Sequence, residues 1–280
     1  MPVPFAQVND ISMYYELHGY AGSPIVLIHG YNVTKVGWPL SHVQRMSAQH
    51  RVVIFDNRGV GQTDKPTTPY TMSLFAADVV GLMDALAIDK AHIFGISMGG
   101  MIAQHVALGY PERVLGLVLG CTAAGEPGAL YPVNPSSEVL EVLLEPSSGD
   151  RAQDNRDAWP IIFTPSYIKA NRALLESGLQ DILEYPEAPP HALKLQLEAI
   201  VNTHDTLHRL GDIRQPTLVQ VGLEDILIPP ANSRILAERI PNARLIEYSG
   251  AAHGYFEEVG LTAVDDILAF LAEVDAGKIP

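Results

Sequence analysis

The pentapeptide Gly95-Ile96-Ser97-Met98-Gly99 joins two segments of different periodicity. Ala91-His92-Ile93-Phe94 before it is a short apolar run. Gly100-Met101-Ile102-Ala103-Gln104-His105-Val106-Ala107-Leu108 after it reads as a helix. Strand, sharp turn and helix form the context in which G-x-S-x-G exposes a serine hydroxyl above a sheet edge. The flanking glycines lack a Cβ, so strand and helix close on each other around a strained serine. The amide of Met98, at the helix N-terminus, then points to where an oxyanion forms. The pattern predicts a nucleophile placed to attack a carbonyl carbon.

Such a turn needs a sheet to carry it, and the chain offers one. Residues 5–8 and 11–18 read as two strands joined at the turn-favouring pair Asn9-Asp10. The apolar runs 24–28 and 51–55 read as strands buried on both faces, as in a parallel sheet. Further strands are expected at 91–94, 114–119, 217–221 and 244–248, with helices over 73–87 and about 261–275. Strands alternating with helices predict an α/β fold with right-handed crossovers. The alternation stops between 123 and 210, a stretch rich in Pro, Glu and Ser that still carries Trp159, Ile161, Ile162, Phe163, Tyr167, Leu174 and Leu175. A structureless loop of that length is unusual in a compact domain. The expectation is a core of residues 1–122 and 211–280 with a helical cap, 123–210, inserted after the sixth strand. A length of 280 residues, 47% of them hydrophobic, is enough for one large core plus such an insertion.

A serine hydroxyl is a weak nucleophile until a base takes its proton. Ten histidines compete for that role, so position must select. His253 follows the last strand in Ser249-Gly250-Ala251-Ala252-His253-Gly254, where small neighbours leave room beside Ser97. His204 and His208 have the i, i+4 spacing of metal ligands, but no glutamate stands between them as in H-E-x-x-H. A carboxylate must orient the imidazole. Asp225, right after strand 217–221, fits, with Glu224 as its neighbour and rival. A second oxyanion donor is expected from the loop His29-Gly30-Tyr31, through the Tyr31 amide beside that of Met98. His29 itself reads as a residue that orients the loop. Trp159, Ile162, Phe163 and Tyr167 are the expected apolar lining over Ser97. Arg151, Arg156, Lys169, Arg172 and Lys194 are spread along the same segment and form no cluster.

The formal net charge of −14 and the lack of a basic stripe argue against a nucleic-acid partner. The single cysteine, Cys121, excludes an intrachain disulfide and argues against a cysteine-based metal site. The segment Met1-Pro2-Val3-Pro4-Phe5-Ala6-Gln7 has neither the charge nor the apolar run of a signal peptide. No stretch approaches the ~20 apolar residues of a membrane span. A cytoplasmic protein without a membrane partner is the expectation, with no metal and no organic cofactor required; oligomeric state is not legible.

Four separated stretches carry a family resemblance: His29-Gly30-Tyr31; Phe55-Asp56-Asn57-Arg58-Gly59-Val60-Gly61-Gln62-Thr63-Asp64; Gly95-Ile96-Ser97-Met98-Gly99-Gly100; and Gly222-Leu223-Glu224-Asp225 with His253-Gly254. Over essentially its whole length the chain resembles the α/β-hydrolase superfamily, within it the 3-oxoadipate enol-lactonase-like hydrolases and related carboxylesterases. The chain order Ser97, Asp225, His253 is the order of that superfamily. The resemblance implies a mostly parallel eight-stranded sheet with an inserted helical cap. It also implies a serine hydrolase cleaving small, mainly neutral carboxylic esters through an acyl-enzyme on Ser97. Hydrolysis of an enol-lactone and a cap-gated ligand receptor that retains the triad are the alternatives. In that family the Asp56–Arg58 stretch is a structural loop.

Overall fold

A computed structural model of the chain describes residues 4–144 and 148–279. Met1–Val3, where the reading of the N-terminus begins, and Pro146 of the proline-rich stretch lie outside the described residues. Eight strands form one sheet: β1 (Phe5–Val8), β2 (Ile11–His18), β3 (Pro24–Ile28), β4 (Arg51–Phe55), β5 (Ala91–Ile96), β6 (Val114–Gly120), β7 (Thr217–Gly222) and β8 (Ala243–Tyr248). Their spatial order is β1-β2-β4-β3-β5-β6-β7-β8. β1 and β2 pair antiparallel, as do β2 and β4; all other pairs are parallel. The mostly parallel eight-stranded sheet with helices between its strands is the architecture the sequence led us to expect.

Burial follows position in the sheet. β5 and β7 are buried along their whole length because helices cover both faces. β1, at the antiparallel edge, alternates exposed and buried residues. Between β3 and β4 runs α1 (Leu40–Ser47), between β4 and β5 α2 (Met72–Ala85), and between β5 and β6 α3 (Met98–Gly109). Five helices, α4 (Ser137–Leu144), α5 (Arg151–Ile162), α6 (Pro165–Ala170), α7 (Arg172–Glu184) and α8 (Pro190–Thr203), occupy the chain between β6 and β7. α9 (Pro230–Arg239) joins β7 to β8, and α10 (Tyr255–Glu258) and α11 (Leu261–Asp275) end the chain.

One apolar cluster packs α2, α3 and α9 on one face of the sheet, and a second packs α1 and α11 on the other. The inserted helices divide. Ala192, Ala199 and Ile200 of α8 belong to the α2–α3 cluster, whereas Trp159, Phe163, Leu175 and Leu179 of α5 to α7 form a small cluster of their own. The chain steps outward from β3 to β4 and then returns to the far side of β3 to lay down β5. The carboxyl ends of β3 and β5 therefore border a topological switch point, where sheets of this kind leave a crevice.

Candidate active site

Ser97 lies at that crevice, between β5 and α3, with φ 58° and ψ −124°. A non-glycine residue in this region is strained and persists only when its surroundings hold it. Two close approaches hold it here. A Cβ on Gly95 would meet the carbonyl oxygen of Gly99, and one on Gly99 would meet that of Ile28. The Ser97 amide donates to Gly120 O at 2.9 Å, and its carbonyl accepts from Thr122 Oγ1 at 2.7 Å. Met98 opens α3, so its N–H has no acceptor within the helix.

The loop after β7 brings Asp225 inward while Glu224 stays exposed. Asp225 Oδ1 accepts from the amides of Leu227 at 2.9 Å and Ile228 at 2.8 Å. Asp225 Oδ2 lies 2.8 Å from Nδ1 of the buried His253. With a carboxylate there, Nδ1 carries the proton and Nε2 is left as the basic nitrogen. Burial disfavours the imidazolium, but the Asp225 carboxylate outweighs it and holds His253 well above the ordinary imidazole value. Nε2 also lies 4.0 Å from Sγ of Cys121, whose thiol burial pushes up and so keeps protonated.

The loop after β3 closes the third side. Gly30 packs against Ser97, where a Cβ would sit 3.1 Å from the serine Cβ. His29 Nδ1 accepts from the Gly30 amide at 2.8 Å. Burial pushes the His29 imidazole down to about 4, so it is neutral near pH 7 and orients the loop. Asn57 Nδ2 donates to His29 O at 3.0 Å, and Asp56 Oδ1 accepts from the Lys35 amide at 2.8 Å. From α8, Gln196 Oε1 accepts from the Asn32 amide at 3.1 Å while its Nε2 donates to Arg58 O at 3.0 Å. Arg58 in turn is buried against both carboxylate oxygens of Asp78. The loop bearing Tyr31 is thus tied to the β4 loop and to the inserted helices.

These elements enclose a cavity of about 320 Å³ that Ser97, His253, Tyr31, Met98, Ile162 and Phe163 all line. Trp159 and Tyr167 do not line it. They border a second cavity of about 810 Å³ on the other side of Phe163, because their faces of α5 and α6 turn toward α7. The cations of the insertion are also elsewhere. Arg156 and Arg172 pair with Glu176, and Arg151 donates to the carbonyl of Tyr185.

His204 and His208 do not converge. α8 ends at Thr203, so the i, i+4 helical spacing is not realised. His204 Nδ1 lies 3.1 Å from His105 Nε2 and its Nε2 lies 3.1 Å from Ala123 O, so both nitrogens are used. His208 is exposed beside Glu126. Cys121, Asp225 and His253 place possible ligand atoms within 4.8 Å of one another. The bond between Asp225 and His253 engages the Asp225 carboxylate and Nδ1, while Cys121 lies on the Nε2 side of the ring.

Residues 23–159 match the model of the alpha/beta hydrolase fold. A protein of Azorhizobium caulinodans named for carbamate hydrolysis, RutD, is 30% identical over 275 residues, covering 98% of this chain and all of its own. The chain belongs to the α/β-hydrolase family. Among solved structures, an enol-lactonase of Burkholderia xenovorans superimposes on this α/β-hydrolase with a TM-score of 0.82 at 27% identity, covering 96% of this chain and 100% of its own. A thermophilic esterase of Thermogutta terrifontis does so with 0.80 at 26% identity, covering 94% of each chain.

Three residues at the candidate site escaped the sequence. Gln196 shares a face of α8 with buried Ala192, Ala199 and Ile200, and a glutamine on an otherwise apolar stripe is the signal that marks it. Cys121 stands at the end of β6, one residue beyond the strand, with φ 36°. Glu257 lines the cavity from α10, four residues after His253, and nothing in its local pattern separates it from Glu258.

Proposed function

We propose that this α/β-hydrolase is a serine hydrolase that cleaves carboxylic esters of small, mainly neutral substrates through an acyl-enzyme on Ser97. The observation that carries the reading is the strained Ser97 opening into the same cavity as a His253 whose tautomer Asp225 fixes. In this reading His253 Nε2 takes the Ser97 proton as Oγ bonds to the carbonyl carbon. The carbonyl electron pair moves onto oxygen, where the Met98 and Tyr31 amides stabilise it, each such donor contributing about 3–4 kcal/mol. Collapse breaks the bond to the leaving oxygen, which receives the proton from Nε2. Water, deprotonated by the same nitrogen, then releases the acid from Ser97.

Neutral substrates are favoured because, among the described residues, no lysine or arginine lines the cavity. Carbamates are the second reading. The near-full-length similarity to RutD supports it, and a carbamate offers the same carbonyl to the same nucleophile. A panel of p-nitrophenyl esters and carbamates tests both. Turnover on the order of 1–10³ s⁻¹ for an ester is expected, with Ser97→Ala reduced to background and a fluorophosphonate probe labelling Ser97 alone. A single round of reaction without turnover points instead to a receptor that retains the triad.

A further inference from the structure

Glu257 is a carboxyl group inside the reaction cavity with no task in the chemistry above. Glu258, next to it, has three partners: the amide and hydroxyl of Thr164, each at 2.8 Å, and the amide of Ala252 at 2.6 Å. Those bonds pin α10 to the inserted helices. Glu257 is held through its backbone, whose amide donates to Gly254 O at 2.9 Å. Among the described residues its side chain has neither a hydrogen-bond nor an ion-pair partner. Glu257 lines both cavities, which share Gly37, Trp38, Phe163 and Glu257.

We infer that Glu257 is a specificity-determining residue that selects substrates carrying a terminal carboxamide, urea or similar N–H group and rejects those carrying a carboxylate. The inference rests on the acyl-transfer reading of the site and names the class of substrate it takes. A half-buried carboxyl without a protein partner keeps its hydrogen-bonding capacity for whatever enters the cavity, and a substrate N–H uses it when bound. Burial, with the neighbouring Glu258 charge, pushes Glu257 up to about 7. Near neutrality the group is therefore available in both forms. As carboxylate it accepts from N–H; as acid it accepts with its carbonyl and donates with its hydroxyl, matching both halves of a carboxamide. A substrate carboxylate meets the opposite situation. The two carboxyl groups must share a proton or repel; the lining of the Ser97 cavity holds no lysine or arginine to compensate, and Lys35, on the second cavity, is paired with Glu16 at 2.6 Å. Titratable groups on the same cavities include the Tyr167 hydroxyl, pushed up to about 12 by burial with Glu257 and Glu258 nearby, the His253 imidazole, which Asp225 engages, and the His29 imidazole, which burial pushes down to about 4.

The test compares kcat/KM at pH 8 for methyl succinamate, monomethyl succinate and methyl 4-methylpentanoate, which differ only in the terminal group, and for acetate esters bearing the same groups on the alcohol. In at least one series the carboxamide is expected to exceed the carboxylate by at least 30-fold and the alkyl ester by at least 5-fold. Glu257→Gln should reduce the first ratio tenfold or more, and Glu257→Leu should abolish the second, each with thermal unfolding checked. Equal turnover of carboxamide and carboxylate by the wild type, or unchanged ratios in folded variants, overturns the assignment. If no ester is turned over, the acyl-transfer reading fails and calorimetry decides the role of Glu257 separately. Binding of succinamide to Ser97→Ala at least tenfold tighter than succinate, lost on adding Glu257→Leu, supports it; equal affinities overturn it.

Discussion

His253 holds its proton at Nδ1 because Asp225 is there to accept it, and Asp225 is fixed in turn by two backbone amides. Replacing Asp225 by Asn presents an amide that donates to Nδ1 and moves the imidazole proton to Nε2. Loss of about 10⁴ in kcat is expected, by analogy with the same change in a comparable triad. Glu224→Gln should leave kcat within about twofold, because that side chain is exposed and away from the imidazole. Steady-state kinetics on one ester ranks the two, and the reverse ranking transfers the orienting role to Glu224. The same carboxylate sets the pH response. In the proposed mechanism His253 must be neutral to act as base, and Asp225 holds it well above its ordinary value. The ascending limb of kcat/KM is therefore expected above the ~6.5 of a free imidazole, and to move to lower pH in Asp225→Asn, measurable from the residual activity.

α8 does two jobs at once, packing Ala192, Ala199 and Ile200 into the core while Gln196 reaches the loop that bears Tyr31. Gln196→Ala leaves the Asn32 amide and the Arg58 carbonyl without partners. The expected cost is about 1–3 kcal/mol of stability, read by urea unfolding, with a fall in kcat of about tenfold as the Tyr31 amide loses its fixed position. A stability loss with kcat intact shows that the loop keeps its shape without α8. The elements were largely legible because the strands are apolar on both faces and the turn around Ser97 requires glycine at 95 and 99. Lining residues were less so. Trp159 and Phe163 are one helical turn apart in sequence, yet Phe163 borders both cavities and Trp159 only the second. Which side of a helix meets the substrate depends on where the whole insertion packs, and no local pattern encodes that.

At the scale of the molecule, α3 and the segment after α8 meet through a buried pair of imidazoles, His105 and His204, 3.1 Å apart. Burial pushes His105 down to about 4 and His204 to about 3, so both are neutral in the folded protein. The unfolded chain takes up these protons near pH 6.5 and the folded chain does not. Their contribution is therefore complete above about pH 6.5 and is lost as the pH falls through about 4 to about 3. The melting temperature should fall across that window, and more shallowly in a His105→Gln/His204→Gln double variant; parallel curves for the two proteins exclude the pair as the cause. The sequence placed these histidines on separate segments, and only the return of the chain from α8 to the core made them neighbours. Cys121 has a different kind of consequence. It is the single cysteine of the chain and is wholly buried beside Nε2 of His253. An electrophilic thiol reagent can label it only when the surrounding structure opens, so in excess reagent the labelling rate becomes a clock for that opening, in the native sequence and without a reporter.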